Sequence, residues 1–371
     1  MEIKIDREEL YKSVSRVQSI IERRSNMPIL STILLTASGA NVNVSATDLE
    51  IGFQQVLSGD VIKEGSITIS GRKLFEILKE SKTQSFHIKE KEDNWVFISD
   101  DVARFKLACL SADEYPGFAE PEGVSIIEVD GDMLGEMIDK TIYAVTREDA
   151  GFKLSGIFTE KITRDSDTFL RMVATDGHRL SMIDKQLKGL ESLDIGNGIM
   201  IPKKGMSELN KMASEGGPIT IGFKDKNCVA KKGNVFLVIR LLEAKFPDYH
   251  AVIPEKPKYF VEVNRVLLLE AMRKMLILSN ERYRAVKLAL EDNKMELIST
   301  NPDIGEVQEN IKVEYKSEPL EAGFNPQYFI DTLQSMESEV INLGFIDKSR
   351  PCILKGEDDK GFLGLLMPMR L

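Results

Sequence analysis

The amino-acid sequence repeats itself, and an internal repeat constrains the possible folds of a chain more than any other feature. Three short phrases recur, namely SATDLEIG at Ser45–Gly52, VATDGHRL at Val173–Leu180 and ISTNPDIG at Ile298–Gly305. Their threonines are Thr47, Thr175 and Thr300, so the phrases are spaced by 128 and then 125 residues. In a chain of 371 residues this period predicts three copies of one structural unit.

The segments around each phrase repeat as well. Apolar residues at helical spacing, with Asp or Asn as a possible N-cap, predict a helix before each phrase, at Asp6–Ile21, Asp130–Val145 and Asn264–Ser279. A second helix is predicted after each phrase, at Gly71–Ser81, Lys203–Met212 and Asn325–Met336. Alternating segments predict antiparallel hairpins with turns at Glu92–Asn94, Asp165–Asp167 and Glu291–Asn293. The predicted fold class is α+β, with three repeated helix-plus-antiparallel-sheet domains at residues 1–122, 123–252 and 253–371.

Charge is unevenly distributed along the chain. The formal net charge is −10, which by itself argues against nucleic acid as a partner. Four segments that contain predicted helices nevertheless have a combined net charge of +10, which leaves −20 for the rest of the chain. They are Arg7–Arg24, Gly71–Lys82, Pro202–Met212 and Asn264–Lys287. Lysine and arginine often cover solvated helix faces, but their recurrence in a repeat protein favours a shared basic surface. The other two predicted helices are net negative and break the pattern.

Several classes of function lack support in the sequence. It contains no phosphate-binding loop, zinc-protease motif or serine-hydrolase motif, and Cys109, Cys228 and Cys352 are too dispersed for a disulfide framework. No signal peptide and no sufficiently apolar span is present, so a cytoplasmic protein without a membrane partner is expected. Asp176 and His178 invite a general-base interpretation, but the single glycine between them suits a turn, and no nucleophile lies nearby. We therefore expect no catalytic residue, no metal and no cofactor.

The segment Gly361–Met369 (GFLGLLMPM) contains only apolar residues, glycine and proline. One interpretation is a last buried strand of the third unit. The other is an adaptable binding surface, because Pro368 interrupts a strand and methionine side chains are flexible. Both interpretations stay open at the level of the sequence.

Five stretches, spread over all three repeats, resemble the bacterial β sliding clamps, the beta subunits of DNA polymerase III. They are ATDGHRL at Ala174–Leu180, FPDY at Phe246–Tyr249, LSNERYR at Leu278–Arg284, Arg24 with MPIL at Met27–Leu30, and MPMRL at Met367–Leu371. The resemblance implies the DNA-clamp fold, in which two chains close a ring with helices inside and sheets outside. It also implies a processivity factor without enzymatic activity. Such a factor encircles duplex DNA independently of sequence and tethers the polymerase III alpha subunit, the clamp loader and other clamp-binding proteins.

The resemblance implies three sets of site residues. The DNA-facing set is Arg24, Arg72, Lys73, Lys203 and Lys204. The hydrophobic cleft for client peptides comprises Leu154, Thr175, Gly177, His178, Arg179, Leu180, Pro247, Val252, Ser349, Pro351, Leu365, Met367, Pro368, Met369, Arg370 and Leu371. The homodimer interface pairs Phe105 and Leu107 of one chain with Ile277 and Leu278 of its partner. Two positions depart from some relatives, which have glutamine at Glu148, near DNA, and arginine at Ala251, at the edge of the cleft.

Two alternatives remain open. The first is a repeat-built protein-interaction scaffold that does not encircle DNA and shows no salt-dependent retention on it. The second is an enzyme that uses Asp176 and His178, which a loss of substrate turnover in a His178→Ala variant would support.

Overall fold

The computed structural model describes residues 1–21, 26–91, 94–100, 102–117, 123–146, 155–254, 256–279 and 285–370. Within them one order of elements occurs three times: a strand and a helix, a meander of strands, a second helix and a second meander. The helices of these residues are α1 (Arg7–Arg16), α2 (Gly71–Glu80), α3 (Gly131–Ile142), α4 (Lys203–Ala213), α5 (Arg265–Leu278) and α6 (Pro326–Ser335). The predicted threefold repeat of an α+β unit is confirmed.

The strands of the described residues follow the same three groups. The first repeat contains β1 (Glu2–Asp6), β2 (Thr32–Ser38), β3 (Asn41–Thr47), β4 (Ile51–Ser58), β5 (Asp60–Lys63), β6 (Gly65–Ser70), β7 (Ser85–Lys91), β8 (Trp95–Ser99) and β9 (Arg104–Ala108). The second contains β10 (Ile126–Asp130), β11 (Gly156–Arg164), β12 (Asp167–Thr175), β13 (Arg179–Lys185), β14 (Ile199–Pro202), β15 (Pro218–Lys224), β16 (Asn227–Lys232) and β17 (Val235–Arg240). The third contains β18 (Tyr259–Asn264), β19 (Val286–Glu291), β20 (Lys294–Asn301), β21 (Gly305–Lys312), β22 (Leu320–Phe324), β23 (Val340–Phe345), β24 (Cys352–Gly356) and β25 (Phe362–Leu366).

Side-chain caps start the first helix of every repeat. Asp6, Asp130 and Asn264 each accept a hydrogen bond from the backbone N–H three residues later, at 3.0, 3.0 and 3.1 Å. These are the predicted N-caps, and such a bond satisfies one of the donors that a helix start leaves unpaired. The sequence places the end of α1 too late, because the apolar spacing continues through a tighter 3-10 turn at Val17–Ser19.

Tight turns connect the strands where the sequence predicts them. Asp165 and Ser166 have φ angles of 50° and 79°, and Asp292 and Asn293 have φ angles of 49° and 61°. Two consecutive residues with positive φ form the type I′ turn, whose twist matches that of antiparallel strands. Of the third predicted turn, residues 92 and 93 lie outside the described part of the chain.

Antiparallel pairing arranges the described strands in four sheets. Their orders are β5-β1-β7-β8-β9, β10-β15-β16-β17-β4-β3-β2-β6, β14-β11-β12-β13-β25-β24-β23-β18 and β21-β20-β19-β22. Each eight-stranded sheet joins two repeats, because β17 of the second repeat pairs with β4 of the first, and β13 of the second pairs with β25 of the third. Strands β9 and β21 each end a sheet.

The helices pack in pairs against these sheets, α1 with α2, α3 with α4 and α5 with α6. The apolar faces of the first helices are completely buried, at Leu10, Val14, Leu134, Ile138, Leu268 and Met272. The removal of these apolar side chains from water stabilises each repeat.

The chain forms two compact units. Unit 1 comprises Met1–Glu128, Ser192–Asp194 and Pro218–Leu241, and unit 2 comprises Val129–Glu191, Ile195–Gly217 and Leu242–Leu371. The pairing of β17 with β4 lies in unit 1, and that of β13 with β25 lies in unit 2. A compact unit therefore does not coincide with a single repeat, and the domain boundaries at residues 122 and 252 stay a prediction.

Candidate functional site

A cluster of buried apolar residues, edged by partly exposed ones, lies on one face of the eight-stranded sheet in unit 2. Leu180 of β13 lies opposite Leu365 of β25, and the two residues are 3% and 1% exposed. Side chains two residues apart on a strand share a face, and the buried cluster around this pair also contains Val173, Met182, Met200, Phe246, Tyr249, Ile353 and Leu363. Ile253 and Met367 pack against the cluster and remain partly exposed. The predicted residues Leu180, Leu365 and Met367 thus belong to one apolar surface.

Side chains of the turn between β12 and β13 fix its shape. Thr175 Oγ1 accepts a hydrogen bond from the N–H of Gly177 at 3.1 Å and donates to the carbonyl of Arg179 at 2.7 Å. Asp176 Oδ1 accepts hydrogen bonds from the N–H groups of His178 and Arg179 at 3.0 and 3.1 Å. Gly177 has a φ angle of +84°, in the left-handed region that favours glycine. The ATDGHRL phrase therefore encodes a rigid turn that leaves the His178 side chain exposed.

Arg179 is buried within this turn. Its guanidinium donates to Asp176 Oδ2 at 3.0 Å, to Asp331 Oδ2 at 2.6 Å and to the carbonyl of Tyr143 at 2.7 Å. It also lies 4.7 Å from the ring centroid of Tyr328, and the residue is only 9% exposed. These contacts give Arg179 the role of positioning the turn.

Backbone hydrogen bonds fasten the residues after β25 to two neighbouring segments. The N–H of Met367 donates to the carbonyl of His178 at 2.9 Å, and the N–H of Met369 donates to the carbonyl of Gly323 at 2.8 Å. The position of the tail therefore depends on the ATDGHRL turn and on β22.

The strand interpretation of GFLGLLMPM is confirmed for part of the segment, and the binding-surface interpretation of the remainder stays a prediction. Phe362–Leu366 is the buried strand β25. Met367, Pro368 and Met369 are partly exposed, and Arg370 is exposed. The accessible tail thus begins where the strand ends.

The other predicted cleft residues differ in accessibility. Pro247 and Val252 are exposed on the segment after β17, Val252 by 42%. Ser349 is exposed in a turn where its N–H and Oγ both donate to Asp347 Oδ1 at 2.7 Å, and Pro351, two residues later, is buried. Outside the described residues lie Leu154 and Leu371.

Sequence reasoning missed Tyr328 of α6. Its ring is stacked with that of His178 at a centroid distance of 6.3 Å, and Arg179 lies over it. In the sequence Tyr328 is one aromatic residue in a predicted helix, and no local signal connects it with a turn in another repeat.

A cavity of about 490 Å³ opens on the same sheet face, next to the predicted cleft residues. Its lining includes Met182, Ile353 and Leu363 of the apolar cluster, together with Phe260 and Pro257. None of the predicted cleft residues that the structure describes lines it. The apolar surface therefore extends further along the strands than the sequence indicates.

Asp176 and His178 do not form a catalytic pair in the described structure. One carboxylate oxygen of Asp176 binds backbone N–H groups and the other binds Arg179. An aspartate that orients a general base has to bind the imidazole ring, and this contact is not formed here.

Basic residues lie at the start of two helices. Arg72 Nε and Lys73 Nζ, in the first turn of α2, donate to Glu76 at 2.9 and 2.8 Å, and their side chains are 71% and 60% exposed. The hydrogen bonds from Lys73 and Arg72 hold the pKa of Glu76 below its usual value. Lys203 and Lys204 begin α4 and are partly exposed. Arg24 and Glu148 lie outside the described residues.

The predicted interface residues lie at the surface of their units. Phe105 and Leu107 of β9 line, with Ile77 of α2, an open groove of about 830 Å³ in unit 1. In unit 2, Ile277 near the end of α5 is 76% exposed, and Leu278 is partly exposed.

No helix in the described ranges is long and apolar enough to span a membrane. A search of the same ranges finds no group of three or more His, Cys, Asp and Glu residues placed to hold a metal ion. The three cysteines are free thiols.

Three family models match consecutive parts of the chain. All three describe the DNA polymerase III beta subunit: its N-terminal domain matches residues 1–119, its central domain residues 128–248 and its C-terminal domain residues 250–370. Each match covers one repeat of the element order.

Relatives and solved structures agree with these matches over the full length. The beta sliding clamp of Pseudomonas aeruginosa is 31% identical over 375 residues and that of Caulobacter vibrioides is 31% identical over 383 residues, with 100% of each chain covered. The sliding clamp (DNA polymerase III subunit beta) of Bartonella birtlesii, solved bound to griselimycin, has a TM-score of 0.94 at 30% identity, and the subunit from Pseudomonas aeruginosa has a TM-score of 0.92 at 30% identity, again with 100% of each chain covered. Together with the threefold repeat and the ATDGHRL turn, these matches show that the chain belongs to the family of bacterial β sliding clamps, the beta subunits of DNA polymerase III that act in DNA replication.

Proposed function

We propose that two copies of this chain close a ring around duplex DNA, with helices inside and sheets outside, and that the apolar surface of unit 2 binds short peptides of client proteins. In this role the chain holds the polymerase III alpha subunit and other clamp-binding proteins on DNA in the cytoplasm and catalyses no reaction. Three clamp domains, at residues 1–122, 123–252 and 253–371, fit this role, and each family match falls almost entirely within one of them.

The observation that carries the proposal is a pairing of strands between repeats. Among the described strands this pairing occurs at two of the three equivalent positions and is absent at the third. At the junction of the first two repeats, β4, the third strand of a first meander, pairs with β17, the last strand of a second meander. At the junction of the second and third repeats, β13 and β25 pair in the same way. The corresponding strands of the remaining junction are β21 and β9, which both end their sheets. Such edges expose unpaired N–H and C=O groups. A second copy can pair with both of these edges, so that a closed pair of chains leaves neither β9 nor β21 unpaired.

The charges of these two strands support their pairing. Strand β9 carries exposed Arg104 and Lys106. Strand β21 carries Glu306, Glu309 and Lys312 and is net negative. Opposite charges on facing strands favour the correct partner and disfavour pairing of either strand with its own copy.

Apolar side chains support the same contact. The groove beside β9 is lined by Ile77, Phe105 and Leu107, and exposed Ile277 and Leu278 are available near the end of α5. Burying two aliphatic side chains stabilises an interface by roughly 3–6 kcal/mol.

Basic helix starts support the contact with DNA. Arg72 with Lys73 and Lys203 with Lys204 place two cations in the first turn of the second helix in two repeats. Helix N-termini attract phosphate groups, and contacts with phosphates carry no base information. A surface of this kind suits a protein that slides along any sequence.

The apolar surface supports peptide binding. Leu180 and Leu365 form a buried floor, and the flexible side chain of Met367 packs against it and remains partly exposed. Exposed polar groups such as His178 at the rim orient a bound peptide, while apolar anchors supply most of the affinity.

The test has two readouts. Light scattering at micromolar concentration should report about twice the chain mass of 41.7 kDa, and a monomer or a trimer would contradict the ring. Protein loaded on a nicked DNA circle should survive gel filtration and leave once the circle is linearised. Retention that ignores linearisation and disappears with salt indicates ordinary electrostatic binding. No retention at all favours the protein-interaction scaffold.

A further inference from the structure

The first helix of every repeat carries a basic residue at the same position. Ten residues after the N-caps Asp6, Asp130 and Asn264 stand Arg16, Lys140 and Lys274. Two of these three residues take part in the junctions within the chain, which allows the partner of the third to be inferred.

The junction between the second and third repeats, in unit 2, contains the clearest contact. Lys140 Nζ donates to Glu136 of its own helix at 2.9 Å and to Asp359, in the turn between β24 and β25, at 2.7 Å. Asp359 also accepts hydrogen bonds from the N–H groups of Glu337 and Ser338, just after α6, at 3.0 and 3.1 Å. A cation of one repeat is thus held between its own carboxylate and a carboxylate in the last turn of the next repeat.

The junction between the first two repeats, in unit 1, has a similar arrangement. Arg16 Nη1 donates to Gln55 Oε1 of β4 at 3.3 Å, and Gln55 Nε2 lies 3.5 Å from Asn234 Oδ1, in the turn between β16 and β17. Asn234 Nδ2 in turn donates to the carbonyl of Val56 at 2.6 Å. The basic residue again reaches a polar group of its own repeat, which contacts the last turn of the neighbouring repeat.

In the part of the chain that the structure describes, Lys274 makes the contact within its own repeat but not the contact with a neighbouring repeat. Its Nζ donates to Glu309 of β21, in the same repeat, at 2.7 Å, and its side chain is 54% exposed. Within the described residues, no polar group of another repeat contacts it. The third junction lies at β21, so the missing acceptor has to come from the chain that pairs with this strand.

The turn that corresponds to the Asp359 turn in the first repeat connects β8 and β9, and it contains Asp100. Asp100 accepts two backbone N–H groups of its own turn at 2.9 and 2.5 Å, and it accepts the hydroxyl of Ser81, just after α2, at 2.9 Å. Asp100 therefore resembles Asp359, because both are held beside the end of the repeat's second helix.

We propose that Lys274 of one chain forms an ion pair with Asp100 of the second chain, so that the contact seen at Lys140 is completed between subunits. The proposal rests on the proposed dimer and names residues that select the correct partner. Lys274 is already oriented by Glu309 and Asp100 by its own turn, so little conformational entropy is lost when they meet.

A charge exchange tests the pair. Lys274→Glu and Asp100→Lys each create like-charge contacts at both interfaces of a homodimer, and each should raise the dimer dissociation constant by about tenfold or more. An equimolar mixture of the two variants should dimerise like the wild type, because the mixed dimer has one native and one exchanged pair. The double variant should also be restored. Analytical ultracentrifugation over a dilution series measures the dissociation constant of the wild type, both single variants, their mixture and the double variant. The matched control is Lys12→Glu, which changes an exposed lysine of α1.

The outcomes separate this pair from the dimer itself. A dimeric wild type whose single variants dissociate no more than Lys12→Glu overturns the Lys274–Asp100 pair and leaves the ring intact. Single variants that weaken the dimer but are not restored by mixing also overturn the pair. A monomeric wild type overturns the proposed ring and the pair with it.

Discussion

Replacing Lys140 by methionine should destabilise unit 2 strongly. Lys140 is 1% exposed, and its ammonium group is a shared donor to Asp359 and Glu136 at 2.7 and 2.9 Å. Removing one member of a buried ion pair costs about 3–5 kcal/mol, because the other charge stays buried. Methionine fills most of the vacated space, and Asp359 keeps its two backbone N–H donors, so we expect a loss of about 3 kcal/mol, at the lower end of this range.

Urea unfolding followed by circular dichroism measures this loss. With a slope of roughly 2–3 kcal/mol per molar urea, the midpoint of the transition that includes unit 2 should fall by about 1–1.5 M. The matched control is Lys294→Met, which removes an exposed lysine that pairs with Glu296 at 3.1 Å, and this variant should unfold like the wild type. An unchanged midpoint in Lys140→Met would refute the reasoning, because the buried cation would then contribute nothing to the junction.

The same pair predicts a dependence on pH. Burial by itself raises the pKa of the Asp359 carboxyl, but hydrogen bonds from Lys140 and Ser338 outweigh it and hold the pKa below its ordinary value of 3.8. Because the pKa is lower in the folded state, the stabilisation is complete above pH 3.8 and is lost as the pH falls through the folded-state pKa. The difference in stability between the wild type and Lys140→Met should therefore be constant from about pH 5 to 8 and shrink below about pH 4.

Three further predictions concern the proposed surfaces. Deleting Met367–Leu371 should lower the affinity for a fluorescein-labelled polymerase peptide by about thirtyfold or more in fluorescence polarisation, with little change in melting temperature. Unfolding of unit 2 in this variant would show instead that the tail belongs to the core. Exchanging both Ile277 and Leu278 for alanine should yield monomers in light scattering, and an intact dimer would remove these residues from the interface. Tyr328→Ala should reduce affinity for the peptide more than Tyr328→Phe does, and equal affinity in all three proteins would show that the stacked ring does not support the cleft.

The fold was predictable where its determinants are local. The caps Asp6, Asp130 and Asn264 and the apolar spacing after them fix where the first helices begin, and turn residues such as Asp292 fix the hairpins. The end of α1 was not predictable in this way, because an α-helical turn and a 3-10 turn bury the same apolar residues.

The candidate site was predictable only in part, because its contacts join distant segments. The ATDGHRL phrase predicts its own turn, but nothing in the phrase shows that Arg179 donates to Asp331 or lies over the ring of Tyr328. The pair of Lys140 and Asp359 spans 219 positions and has no counterpart in local periodicity. Such contacts follow from the pairing of repeats, which depends on the whole sheet.

The sharing of sheets between repeats determines how a shortened form of this chain would behave in a cell. A fragment that stops near residue 252 keeps β13 but loses β25, the strand that covers its edge along Arg179–Ile183. That edge would expose unpaired backbone groups beside the apolar side chains of Leu180 and Met182, a combination that templates the addition of further chains. Incomplete products of synthesis or proteolysis would therefore aggregate by edge-to-edge strand pairing rather than simply lose activity.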